Sequence, residues 1–235
     1  MTQPSATGRR TRLNRNRVLE SAVELADEIG IDALTMRRLA QELDVVPMAL
    51  YKHVANKEEL LDGMVEVIIG EIDPPADDSN WRSAVRQRVL SARRTLQRHP
   101  WARRVVESRT IRTVPVLEYT ESIIAMFFAG GLSTDLTHHA MHALGGRMWG
   151  FTQELFEAAA TEGSESSADN RATAFREMGE RYPNMLRVAT ASAHDDGSTV
   201  GRGCDDQVEF EFSLDLLLGG IERLREQGWI STPRS

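Results

Sequence analysis

The sequence is poor in cysteine, in lysine and in long apolar runs, and each shortage excludes something. Cys204 is the one cysteine in 235 residues, so no disulfide can form within the chain. That suits a reducing compartment and predicts a cytoplasmic protein. The longest apolar stretch, Ile123 to Gly131, falls well short of the ~20 residues that span a bilayer, so no membrane partner is expected. The start, Met1-Thr-Gln-Pro-Ser, lacks the apolar segment of a secretory signal. Lysine occurs only at positions 52 and 57, against 26 arginines, a skew that reads as coding bias. Signatures of enzymes are missing too. There is no phosphate loop, no dinucleotide-binding glycine fingerprint and no nucleophile elbow, so neither catalysis nor a cofactor is expected. Asp135, His138 and His142 share a helical face at spacings of three and four, but such residues near a helix start are more often solvated, and no metal is expected.

What is present is charge, unevenly spread. The net charge of −7 alone argues against a nucleic-acid partner. Yet residues 1–19 carry five arginines (Arg9, Arg10, Arg12, Arg15 and Arg17) and no acid, and residues 1–60 balance nine basic groups with nine acidic ones. The acidic excess therefore lies in the remainder. Because phosphate attraction is short-ranged in salt, a locally basic end on an acidic body remains compatible with DNA.

The periodicity is helical almost throughout, which predicts an all-α fold. Val18, Ala22, Leu25 and Ile29 recur on one face after a capping Asn14, and Gly30 stops the helix. A short helix is expected from Thr35 to about Leu43, then a turn at Asp44-Val45-Val46. A third helix follows, with Pro47 in its first turn and Leu50 and Val54 facing inward. Asn56-Lys57-Glu58-Glu59 reads as a capping box opening a helix through Ile72. Asp73-Pro74-Pro75 ends that helix and is the expected domain boundary. Further helices are expected near 81–98, 101–110, 114–129, 134–159, 171–191 and 205–227, with polar loops at Thr161–Ser167 and His194–Thr199.

The three helices between Asn14 and Val54 have the lengths of a helix-turn-helix: a support, a short helix, a tight turn and a recognition helix. The run Leu34-Thr-Met-Arg-Arg-Leu-Ala-Gln-Glu-Leu-Asp-Val45, followed by Leu50-Tyr-Lys-His-Val54 and Asn56-Lys-Glu-Glu-Leu-Leu61, resembles the N-terminal signature of the tetracycline-repressor (TetR) family over residues 14–72. The resemblance implies a ligand-responsive transcriptional regulator that binds double-stranded operator DNA as a homodimer and is released by a small-molecule effector. The implied layout is a disordered basic arm (1–13), a helix-turn-helix domain (14–55), a connecting helix (56–73) and a larger ligand-binding and dimerisation domain (74–235).

On this reading Thr35 caps the second helix and faces a phosphate. Arg37 reaches a guanine edge or a phosphate, and Met48 and Ala49 suit thymine methyls. Lys52 suits guanine or phosphate. Tyr51 and His53 form the family's phosphate-facing pair, a structural hydrogen bond being the other reading of His53, and Lys57 clamps a phosphate. Asp44 stands where the family usually has glycine, and Val46 stands where a capping residue often begins the recognition helix.

For the body the resemblance implies a dimer seam from the last two long helices. Met141, Leu144, Met148 and Leu155 offer one stripe. Phe210, Leu214, Leu217, Leu218, Ile221 and Leu224 offer the other. An effector pocket is expected among Met64, Ile68, Trp101, Tyr119, Ile123, Met126, Phe127, His142 and Trp149, for a mainly apolar molecule near His142 and Trp149. The positions aligned with the tetracycline repressor's metal–drug histidines hold Asp73, Val106 and Arg147, so neither tetracycline nor magnesium is expected. Cys204, among aspartates that raise a thiol's pKa, is not expected to act as a redox sensor.

Overall fold

The computed structural model describes residues 12–75, 80–109, 112–149, 179–184, 187 and 206–231, the side chains of 147–149 excepted. Helix is the only regular structure among them. Local capping chemistry sets where the first helices begin. The Asn14 side chain accepts from the Arg17 N–H at 2.8 Å and opens α1 (Arg15–Ile29); Gly30, at φ 79°, turns the chain away. Thr35 accepts from the Arg38 N–H at 3.1 Å and opens α2 (Met36–Glu42). Asp44 then takes the left-handed conformation at φ 52°, which Asp tolerates better than most residues.

The recognition helix is shorter than the periodicity implies. α3 covers only Pro47–Leu50, and Val46 contributes no capping hydrogen bond at its start. The chain then tightens into a turn in which both the His53 and Val54 N–H groups donate to the Leu50 carbonyl. α4 (Lys57–Gly70) starts with the expected reciprocal box: Asn56 accepts from the Glu59 N–H at 2.8 Å, while the Glu59 carboxylate accepts from the Ala55 N–H at 2.6 Å.

Downstream, α5 (Trp81–Arg98) and α7 (Val114–Ala129) have the expected bounds. α6 (Ala102–Ser108) is slightly shorter than expected, and α8 (Thr134–Trp149) is described to Trp149. The last helix, α9, runs Asp206–Glu226. The stretch 150–159 of the expected 134–159 helix lies outside the described residues, as do nearly all of 171–191, both polar loops, Arg9, Arg10, Leu155 and Cys204.

Two compact units make up the chain. Residues 1–142 with 224–235 form one, and residues 143–223 form the other. α4 packs on α1 as well as on α5, α6 and α7, so the helix-turn-helix and the first body helices share one core. That core is built on Val18, Leu19 and Leu25 of α1, Leu39 of α2, Leu50 of α3, and Leu60, Met64 and Ile68 of α4, all at most 2% exposed. Burial of each such side chain contributes roughly 1.5–3 kcal/mol.

In the second unit α9 buries Phe210, Leu214, Leu218 and Ile221 and leaves Val208, Phe212 and Leu216 exposed. Of the stripe expected at a seam or in a core, these four are buried within the chain and Leu217 and Leu224 are half-buried, while the neighbouring apolar stripe faces outward.

α1 and α4 approach closely at Gly63, where an added Cβ would lie 2.5 Å from Leu19 Cδ2 and 2.9 Å from its Cδ1. Gly70, at the end of the same helix, has open space around it. Gly63→Val is therefore expected to destabilise the fold by about 1–3 kcal/mol through overpacking. Gly70→Ala should stabilise it by up to ~1 kcal/mol through helix propensity. Urea unfolding of the two variants against the parent checks both signs.

Candidate DNA interface and sensor core

The α2–turn–α3 unit presents one face outward. Val46 is 68% exposed, Met48 71% and Tyr51 43%, whereas Leu50 and Val54 are buried beneath them. Lys52, Arg37 and Thr35 are exposed, Ala49 is half-buried and His53 is half-buried. An apolar surface of this kind on a short helix has no fold-level use, and it matches what thymine methyl groups accept in a major groove. Lys57 has an additional partner. Its Nζ donates to the Leu34 carbonyl at 3.0 Å, tying the first turn of α4 to the entry of α2, with two further N–H groups left on the ammonium.

Polar ties hold this DNA-facing part to the helices behind it. His99, at the end of α5 and only 6% exposed, stands between two carboxylates. Its Nδ1 lies 2.9 Å from both Asp27 oxygens, and its Nε2 lies 3.1 Å from Glu71 Oε2. Both contacts are hydrogen bonds only when both ring nitrogens carry hydrogen. Trp101 Nε1 donates to Asp27 at 2.7 Å, and Arg98 donates to Glu71 at 2.7 Å. Burial raises the Glu71 carboxyl, but the hydrogen bonds from His99 and Arg98 outweigh it and hold the group below the usual glutamate range. Nearer the DNA-facing end, Arg109 reaches Glu58 at 2.5 Å and Asp62 at 2.8 Å on α4, Arg104 pairs with Asp32, and Arg15 pairs with Glu66 at 3.2 Å.

The expected effector-lining residues separate into groups. Met64 and Ile68 of α4 and Ile123 and Phe127 of α7 are buried, with Phe127 stacked obliquely on Trp81 of α5 at 5.6 Å. Met126 is half-buried. Trp101 is buried, yet its indole N–H goes to α1, at the contact with the DNA-facing part. His142 is exposed and packs against His138 at 4.7 Å; the Trp149 side chain lies outside the described residues. Among the described residues, no cluster of His, Cys, Asp or Glu could hold a metal: Asp135 accepts instead from the Ser231 N–H and hydroxyl.

Residues 18–64 match the model for bacterial regulatory proteins of the tetR family, and residues 73–225 match the tetracyclin repressor-like C-terminal domain. The chain belongs to the TetR family. Its members are DNA-binding transcription factors and not enzymes, so this TetR-family chain is a sequence-specific transcriptional regulator. It is 30% identical to the class G tetracycline repressor of Vibrio anguillarum over 92% of this chain and 96% of that one. The structure of the TetR-family protein ActR from Streptomyces coelicolor in complex with (S)-DNPA is similar with a TM-score of 0.63 and 25% identity, covering 90% of this chain and 98% of that one. BioQ bound to its double-stranded DNA operator is similar with a TM-score of 0.59 and 25% identity, over 90% and 99% of the two chains. No helix among the described residues is long and apolar enough to cross a membrane.

Sequence reasoning about this regulator missed Asp27, Glu71, Arg88, His99 and Arg109. Two signals were available: the His99-Pro100-Trp101 break directly after a long helix, and an arginine at 88 on the same helical face as Ala84, Val85, Ser91 and Ala92.

His99→Ala removes the shared donor and leaves two partly buried carboxylates facing each other. It is expected to cost about 1–3 kcal/mol in urea unfolding. Arg104→Ala, which breaks an exposed and solvent-screened pair, should cost much less. The Glu71 contribution is present above the ordinary glutamate range and lost as pH falls through its depressed folded-state value. Acid should therefore shrink the difference between parent and Glu71→Gln, and pH-dependent unfolding of the pair reads this directly.

Proposed function

We propose that the regulator is a cytoplasmic repressor that holds a palindromic operator as a homodimer and lets go when a small molecule enters the α4–α5–α7 core. The single observation that carries this reading is the position of α4. It touches the DNA-facing part at Lys57, carries Met64 and Ile68 into the core, and is tied at both ends by Arg109 and His99. A change in that core shifts α4, and α4 shifts α2 and α3. ActR solved with (S)-DNPA and BioQ solved with its operator support the two halves of this cycle. For the second copy, the outward stripe Val208, Phe212 and Leu216 of α9 supplies an apolar surface that a monomer leaves in water.

The layout follows as an arm ahead of residue 14, a helix-turn-helix to residue 55, a connecting helix to residue 73 and a sensing and dimerising remainder. Met48, Ala49 and Tyr51 contact base methyls, Lys52 and Arg37 read base edges, and Thr35, His53 and Lys57 hold phosphates.

Two recognition helices on one dimer require half-sites about 34–36 Å apart. Selection from random DNA is expected to return a twofold site, and a single asymmetric half-site would contradict the reading. Lys52→Ala should relax preference at one position per half-site, at a cost of ~1–3 kcal/mol there. Lys57→Ala should weaken all operators alike and reduce the salt slope by about one unit. Fluorescence anisotropy on matched and mismatched operators across a salt series separates the two roles.

A further inference from the structure

Arg88 occupies a place in the sensor core where the fold has little use for a cation. It lies on the inward side of α5, beside Ala84, Val85, Ser91 and Ala92, all buried. Its guanidinium stacks over the Tyr119 ring of α7 at 4.8 Å, and one terminal nitrogen donates to the Asp73 carbonyl. The Nε is buried and has no hydrogen-bond partner among the described residues. The Asp73 carboxylate acts on Arg88 through its charge, but its hydrogen bonds go elsewhere: it accepts from the Ser91 hydroxyl at 2.7 Å and from Arg94 at 2.8 Å. Burial lowers the Arg88 pKa, yet a guanidinium stays charged inside proteins. Burial also pushes the Tyr119 phenol up to about 12, despite the Arg88 charge, so the ring beneath the guanidinium is neutral at working pH and does not act as its counter-ion.

A half-buried cation served by a carbonyl and an aromatic face, with an open donor, is a site for an anion. Buried charges are ordinarily paired, and an orphaned interior donor calls for an explanation. The helices that meet here also carry buried apolar residues: Ile123 one turn along α7 from Tyr119, and Met64 and Ile68 on α4, which packs on both α5 and α7. We infer that Arg88 is the anion-recognising residue of the sensor core, and that the effector is an amphipathic organic acid with a carboxylate or sulfonate on an apolar, aromatic-sized body. This deepens the effector reading above and rests on it. It also replaces the expected mainly apolar molecule with one that carries charge at one end.

The test uses the full chain and two fluorescent probes that share one ring system. 8-Anilinonaphthalene-1-sulfonate carries the anion; N-phenyl-1-naphthylamine does not. The parent protein is expected to bind the sulfonate at least ten times more tightly than the neutral amine. Arg88→Met should remove that preference, weakening the sulfonate tenfold or more while leaving the amine within twofold, which also reports that the variant is folded. Arg88→Lys should retain part of the preference. Equal affinities in the parent, or an Arg88→Met variant that loses both probes or neither, would overturn the assignment. Competition by inorganic sulfate at equal concentration would overturn the organic-acid class.

Melting without probe gives an independent readout. Removing a half-buried cation whose Nε has no hydrogen-bond partner should leave the Arg88→Met melting temperature equal to or above the parent's. A lower value would make Arg88 a structural tie to Asp73 and overturn the proposal. Labelled operator is titrated in parallel. If the sulfonate binds through Arg88 but leaves operator affinity unchanged, the anion site stands and the release mechanism falls.

Discussion

The structure depends on one imidazole reaching two carboxylates. Asp27 belongs to α1, Glu71 follows α4, and His99 closes α5, so a single buried ring joins the support of the helix-turn-helix to the connecting helix and the sensor core. Without it the two acids would face each other across a partly dehydrated gap, and repulsion would separate the elements that carry them. Trp101 and Arg98 add donors to the same two acids. The DNA-facing helices therefore lean on the sensing helices through directional contacts as well as through apolar packing. Directional contacts have few alternative geometries, which is a condition for a small shift on one side to register on the other.

Around that junction the chain uses short-range chemistry to place the recognition surface. Asn14, Thr35 and Asn56 begin α1, α2 and α4 with side-chain caps, and Asp44 supplies the left-handed turn. Among these first four helices α3 alone lacks a side-chain cap, and it is the shortest of them. Its position is fixed from below by Leu50 and Val54 and at its flank by the turn to Asn56, so its outer residues are free to be chosen for DNA.

Features of the fold that come from neighbours in sequence were legible before the structure. The caps at Asn14, Thr35 and Asn56 and the bounds of α5 and α7 are local, and local patterns report them directly. Features that depend on three-dimensional partners were not. Periodicity finds the apolar stripe of Phe210, Leu214, Leu218 and Ile221 on α9 but cannot say that it faces inward while Val208, Phe212 and Leu216 face out. It groups Trp101 with the core, yet the indole N–H is directed at α1. It places His142 beside small residues, where the ring is in fact exposed among other histidines. Arg88 and His99 look like ordinary surface charges in the sequence, because nothing local records that Tyr119, Asp27 and Glu71 arrive from elsewhere.

Gly63 gives α4 a fulcrum. The helix packs tightly on Leu19 of α1 there, six residues from Lys57 and seven from Gly70, so at 1.5 Å per residue the arms on either side are both about 10 Å long. A rod balanced near its midpoint rocks with nearly equal and opposite travel at its two ends. Displacement of the Glu71 end in one direction appears at Lys57 at about the same size and with reversed sign. The gearing is close to one to one, so sensitivity must come from how sharply operator affinity depends on position and not from mechanical gain along the helix.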